Sequence, residues 1–337
     1  MKKLLVLLLA LTMVGAAFAQ VSFSGYLDTG FVYEKIGSAD ATLTLNGDDS
    51  GTTSRFNLNG SWKSEDGVVG AAFRFRTQGD FDAGSPVLFT RRAYVWGTMF
   101  DGMVKLVAGK LGDYTWATLG PAAFGNIDGP TGVQFQVMPI EGLNLGFFLP
   151  ATTAGALAED AFGDILIGAS YAMADVFTAQ AGIDLSPTAD SNDAWAGVEV
   201  TAIENLYIVV EASLTDLGND ATGATYLFEE AEYSMDALVF GIDLEQQFWA
   251  DSALDMGLSF GPYVSYTMDM VTLGGQFTYI TAGDSGMIIS PYVRYAMGKG
   301  ADLELRLDLY TGDITDVEAT ALDRKSTRLN SSHRIRS

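Results

Sequence analysis

The chain alternates. From Val21 to Glu34, the residues Val21, Phe23, Leu27, Phe31 and Tyr33 fall on one parity, and Ser22, Ser24, Asp28 and Glu34 on the other. A period of two sends successive side chains to opposite faces of a strand, whereas a helix needs 3.6. The same dyad returns in FNLNGSW (56–62), VQFQV (133–137), FTAQAGI (177–183), LYIVVEASL (206–214), LVFGIDLEQ (238–246), MGLSFGPYVSYTM (256–268) and ADLELRLDLY (301–310). About seventeen such segments can be marked along the chain. Each has about ten residues, the length a tilted strand needs to cross a bilayer.

The connections alternate too. Short ones are SEDG (64–67), FDGM (100–103), PIEG (139–142), MADV (173–176), IEN (203–205), MDA (235–237), MDM (268–270) and GKG (298–300). Between them lie longer links rich in Asp, Gly, Ser and Thr at 35–52, 78–87, 112–131, 150–162, 185–192, 215–224, 249–254 and 281–286. A meander with one tight rim and one loose rim is the plan of outer-membrane barrels. The pattern therefore predicts an all-β, transmembrane, antiparallel up-and-down barrel of about 16–18 strands. Such barrels have an even strand count, so the expected last strand is missing after Tyr310. A secreted β-sandwich also alternates, but its apolar face packs against a second sheet. It has no use for aromatics at strand ends, as at Tyr33, Trp62, Phe248, Tyr266, Tyr279 and Tyr310, which suit an interfacial girdle.

Both ends stand apart from this pattern. Residues 1–19 read as a secretory signal: Lys2 and Lys3, the apolar run LLVLLLALTMVG, then the small-x-small site Ala17-Phe18-Ala19, with Gln20 first in the mature chain. The alternative is an uncleaved anchor, for which the run is short. Residues 323–337 carry Arg324, Lys325, Arg328, Arg334, Arg336 and the only histidine, His333. This tail resembles translated sequencing-adapter sequence; the alternative is a basic interaction tail. The barrel is thereby expected over 20–322.

The net charge is −23, and setting the cationic ends aside deepens it. Nucleic acid is not an expected partner for such a surface, because phosphate binding needs basic residues. There is no cysteine, so neither a disulfide nor a thiol nucleophile is available.

Two stretches carry a family resemblance. SRFNLNGSWKSEDGVVGAAFRFRTQGD (54–80) resembles the second and third strands of Gram-negative porins, and FTRRAYVWGTMFDGMVKLVAGKL (89–111) resembles the next hairpin. The resemblance implies a trimeric, water-filled channel whose third long loop, Gly112–Thr131, folds inward and narrows it. Here that loop offers only Asp113 and Asp128 instead of a dense acidic cluster, and the chain lacks the terminal aromatic used in barrel assembly.

Parity assigns the charges to faces. With Phe56, Leu58, Trp62, Phe73 and Phe75 toward lipid, Arg55, Lys63, Arg74 and Arg76 point into the lumen, as do Lys105, Arg294 and Arg306. A cation facing lipid at the midplane would cost about 2–4 kcal/mol. Arg91 and Arg92 are adjacent, so strict alternation sends one each way and does not say which. No Lys or Arg lies between Lys110 and Arg294. Closing the sheet would gather the cations into one basic sector, faced by an arc with the carboxylates Asp184, Glu199, Glu211, Asp243 and Glu245. Opposed charges across a pore make a transverse field and set ion preference. The plainer alternative is that these charges only hydrate the interior. Asp302, Glu304 and Asp308 are placed to pair with Arg306. The acidic excess predicts a weak cation preference.

The expected function is passive diffusion of small hydrophilic solutes and ions through a homotrimer in the bacterial outer membrane, in contact with lipid and lipopolysaccharide. Acidic stretches at 46–51 and 188–193 could meet divalent cations there, although neither has a calcium-loop spacing. An enzyme is not expected, since residues 20–322 hold no histidine or cysteine to activate a nucleophile. No cofactor or metal site is expected. The rival readings are a structural or adhesin-like barrel and a substrate-specific channel. A sugar channel would show a line of lumen aromatics, for which Tyr26, Trp195, Tyr207 and Tyr292 are the widely spaced candidates.

Overall fold

In a computed structural model, the structure describes residues 19–28, 30–34, 42–46, 54–79, 87–111, 131–151, 165–186, 191–219, 221–251, 256–282, 284–298 and 301–312. The signal segment 1–18, most of loop 112–131 with Asp113 and Asp128, and the tail lie outside the described residues. The strands in chain order are β1 (Ala19–Asp28), β2 (Gly30–Glu34), β3 (Thr42–Asn46), β4 (Ser54–Ser64), β5 (Val69–Gly79), β6 (Val87–Met99), β7 (Val104–Lys110), β8 (Thr131–Val137), β9 (Leu143–Pro150) and β10 (Ile165–Met173). They continue with β11 (Phe177–Ser186), β12 (Ser191–Val200), β13 (Leu206–Thr215), β14 (Ala224–Met235), β15 (Leu238–Trp249), β16 (Gly257–Met268), β17 (Val271–Ala282), β18 (Asp284–Gly298), β19 (Ala301–Arg306) and β20 (Leu309–Gly312).

Eighteen of these segments form one antiparallel sheet: β1 pairs with β4, and from β4 to β19 each pairs with the next in sequence. β19 and β20 both pair with β18 in one continuous register, Tyr292 opposite Arg306 and Ile289 opposite Leu309, so they are one strand interrupted at Leu307 and Asp308. β2 and β3 form a separate hairpin. This differs from the alternation, which runs unbroken from Val21 to Glu34. The chain leaves the main sheet after Asp28, and TLTLN (42–46), itself alternating, supplies the new partner. Among the described residues β1 pairs only with β4, and β19 and β20 only with β18, so these are the sheet's two edges.

The tight rim is built from residues that accept a left-handed backbone. Asp101, Asp175, Asn205, Asp236 and Asp269 all have φ between 48° and 64°. Asn and Asp tolerate that region better than other residues with a Cβ. In the first tight turn the position is taken by Gly67, φ 72°. There Ser64 Oγ donates to Asp66 Oδ1 (2.6 Å), which also accepts from the Val68 N–H (3.0 Å). These bonds hold the exposed Asp66 carboxyl below its ordinary pKa.

The two faces differ sharply. One is bare and apolar: Leu305 is 76% exposed, Leu88 66% and Val95 59%. The other carries the polar residues, and several are fully covered, with Asn57, Gln134 and Glu211 at 0%. This is the reverse of a soluble sheet, and it is what a wall between lipid and water requires. One carboxylate departs from the pattern. Glu229 lies midway along β14, opposite Val210 and Leu244, on the apolar face, with Gln246 as a diagonal neighbour. Exchanging Glu229 for Leu should raise the stability of the folded barrel by about 1 kcal/mol, because carboxylates cost less than the cations there but still cost. The urea midpoint in lipid reads it, and a fall in that midpoint would mean that the carboxylate has a stabilising partner.

Candidate functional site

Residues paired across a ladder share a face. From Lys63 the partners run through Gly70, Trp96, Val107, Gln134, Phe148 and Leu166 to Asp184. Glu199, Val209, Glu230 and Asp243 lie on another such line, and Glu211, Phe228, Glu245 and Ser259 on a third. The register thus puts Lys63, Arg74, Arg76, Lys105, Arg294, Arg306, Asp184, Glu199, Glu211, Asp243 and Glu245 on the polar face. Arg55 keeps its backbone place, opposite Asp28 and Gln78.

Most of the cations sit on β4–β7. Arg74 Nε donates to Asn59 Oδ1 at 2.7 Å, and Arg76 Nε donates to Asn57 Oδ1 at 2.9 Å. These amides are neutral, so they direct the guanidinium groups and do not themselves cancel the charge. Lys63 and Lys105 approach the ring of Trp96, with Nζ to centroid distances of 6.0 and 5.8 Å, within cation–π range.

Strict alternation fails at Arg91 and Arg92. Arg74 faces Arg92 and Phe75 faces Thr90, so Arg91 is the extra residue of a β-bulge. Ala93 and Thr90 are both on the apolar face, with two residues between them instead of one. Both arginines therefore fall on the polar side, and neither has to enter lipid. The exposures agree: Leu88 and Val95 are both on the exposed apolar face although they differ in parity, which demands a bulge between them.

A second cationic group is at the far edge. Glu304 accepts from Arg294 Nε at 2.8 Å and from Arg306 Nη2 at 2.8 Å, so one carboxylate serves two cations. Both guanidinium groups lie 5.7 Å from the ring of Tyr292. Asp308 is exposed, in the gap between β19 and β20.

The acidic side is richer than parity alone suggested. Glu230 and Glu232 on β14 share the polar face with Asp243 and Glu245 on β15. The hydroxyl of Tyr263 on β16 lies 3.0 Å from Glu230 Oε1 and 2.8 Å from Glu232 Oε2. The run Glu229-Glu230 conceals this, because two adjacent acids do not show which one faces inward until the register is known. Among the described residues, no three acidic side chains converge so as to hold a metal ion.

Aromatics line the polar face at Tyr94, Trp96, Phe148, Trp195, Tyr226, Phe228, Tyr263 and Tyr292. Several are covered, with Phe148 at 0% and Trp195 at 5% exposure. Among the described residues these covered rings fill the wall; the Tyr26 side chain lies outside the described residues. Val107, Leu111 and Phe148 form a buried apolar cluster on this same face, packed against Tyr94, Trp96 and Leu166.

Known proteins place this architecture. A search of curated proteins finds no match. Among solved structures, a variant of the Rhodopseudomonas blastica porin superposes with a TM-score of 0.54 at 16% identity, covering 86% of this chain and 100% of that one. Two further variants of that porin give TM-scores of 0.53 at 17% and 15% identity with the same coverage. These neighbours share the fold. The family model for Gram-negative porins spans residues 6–315, and over that span lies the whole meander with its apolar wall and charged face: the chain belongs to the Gram-negative porin family.

Proposed function

We propose that the protein is a general diffusion channel of the bacterial outer membrane, passing small hydrophilic solutes and ions, and that it acts without catalysis or a cofactor. The observation that carries this reading is the two-faced sheet of eighteen segments. A barrel of about eight strands is filled by its own side chains, whereas 16–18 strands leave an aqueous channel. The polar face is then the pore wall. In sheet order the cations of β4–β7 and the carboxylates of β11–β15 are about half a circumference apart in a ring of this size, so the field between them is transverse. The acidic side outweighs the basic side, which favours a weak cation preference. Assembly as a homotrimer, with lipid and lipopolysaccharide around it, belongs to the same proposal and rests on the family.

The apolar cluster at Val107, Leu111 and Phe148 supports an inward-folded loop. Apolar side chains on a wet wall need a cover, and segment 112–130 begins directly after Leu111. Seated there, it would narrow the pore and bring Asp113 and Asp128 to the constriction.

Single-channel recording in a planar bilayer tests the function: discrete openings are expected, and silence from a folded barrel would contradict a channel. In a salt gradient, the reversal potential should show a modest cation preference; clear anion selectivity would contradict the charge assignment. Val107→Asp should unseat the loop and increase unitary conductance, and an unchanged conductance from a folded variant would count against this seat.

A further inference from the structure

Three rings on the polar face share one construction. Trp96, Tyr263 and Tyr292 each cover a glycine of a neighbouring strand, Gly70, Gly241 and Gly274, where a Cβ would collide with the ring. Each ring also stands beside two like charges. Trp96 has Lys63 and Lys105, Tyr292 has Arg294 and Arg306, and Tyr263 has Glu230 and Glu232. The glycine seats let the rings lie down on the wall, close to the strands that bear the charges.

The chemistry differs between them. Trp96 and Tyr292 meet cations with the ring, which Phe could also do, if more weakly in place of Trp. Tyr263 meets carboxylates with its hydroxyl. Glu230 and Glu232 are two residues apart on one face, about 7 Å along the strand, and repel each other. Glu230 has a further contact besides this one, and the Tyr263 hydroxyl is what joins it to Glu232. The phenol has one hydrogen to give, shared between the two acceptors or served to each in turn, and charged acceptors strengthen such bonds. Asp243 faces Glu230 across the ladder, and Gln276 Nε2 lies 3.4 Å from Asp243 Oδ2.

The decisive point is the donor's neutrality. At Glu304 the partners are Arg294 and Arg306, which position the carboxylate and cancel it. Tyr263 positions two carboxylates and cancels neither. No Lys or Arg occurs anywhere from Gly112 to Val293, so a neutral donor is what this part of the wall uses.

We propose that Tyr263 is a positioning residue for ion preference: its hydroxyl gathers Glu230 and Glu232 into one concentrated negative locus on the pore wall. This rests on the channel reading above. Without the hydroxyl the two carboxylates would no longer be drawn to one point, and a passing cation would be attracted less strongly there.

The test compares the full chain with Y263F, Y292F and the double variant E230Q/E232Q in a planar bilayer under a potassium chloride gradient. Unitary openings in the unaltered protein establish the channel separately; their absence overturns the channel reading and this inference with it. E230Q/E232Q should lower the cation-to-anion permeability ratio. Y263F should lower it in the same direction by a smaller step, although it removes no charge. Y292F should leave the ratio unchanged, because Phe keeps the ring face. If Y263F fails to fold, Tyr263→Leu, which also lacks the hydroxyl, carries the same expectation. A Y263F ratio equal to that of the unaltered protein, or no effect of E230Q/E232Q, overturns the proposal.

Discussion

In hydrocarbon there is no water to accept a stray backbone hydrogen bond, and each unsatisfied group costs several kcal/mol. That constraint underlies everything else in this molecule. It favours strands paired on both sides, as those from β4 to β18 are, and a barrel in which a long sheet closes. Once the backbone is committed to a wall, the side chains have only two destinations. The period of two sorts them, apolar to lipid and polar to water, with exposed Leu305 and Val95 on one side and covered Gln134 and Glu211 on the other.

The scarce cations follow from the same logic. An arginine on this wall must turn inward, and the bulge at Arg91 lets two adjacent arginines do so. Neutral groups are among those that hold these cations: Asn57 and Asn59 for Arg76 and Arg74, and Trp96 for Lys63 and Lys105. Tyr263 plays the same part for Glu230 and Glu232. The pair Arg294 and Arg306 with Glu304 is the contrast, since there the charges largely satisfy one another. Two ways of placing charge thus coexist on the wall, one that preserves the field and one that spends it locally.

Much of the fold could be read from the residues alone. Alternation, strand length and the short-long rhythm of the links specify the meander, because each is imposed by local geometry and by the membrane's thickness. The faces of Lys63, Arg74, Arg76 and Glu211 follow from parity within their own strands. What parity misses is what depends on a neighbour. The bulge at Arg91 breaks the count within one strand. The inward turn of Glu230 and Glu232 was hidden by Glu229 beside them. The glycine seats under Trp96, Tyr263 and Tyr292 need the register between strands, which no single segment contains. The split of β2 and β3 from the main sheet is likewise a choice of partner that residues 21–34 do not record.

The central claim is that one face of this sheet meets water inside a barrel and the other meets lipid. The chain has no cysteine, so single cysteines can be placed one at a time along β18 from Ile289 to Tyr295. A charged, water-soluble maleimide should label replacements at Ser290, Tyr292 and Arg294, and spare those at Ile289, Val293 and Tyr295. A bilayer-soluble quencher should reach a fluorophore at the second set and not at the first. Uniform labelling along the strand, or the opposite parity, would contradict the account.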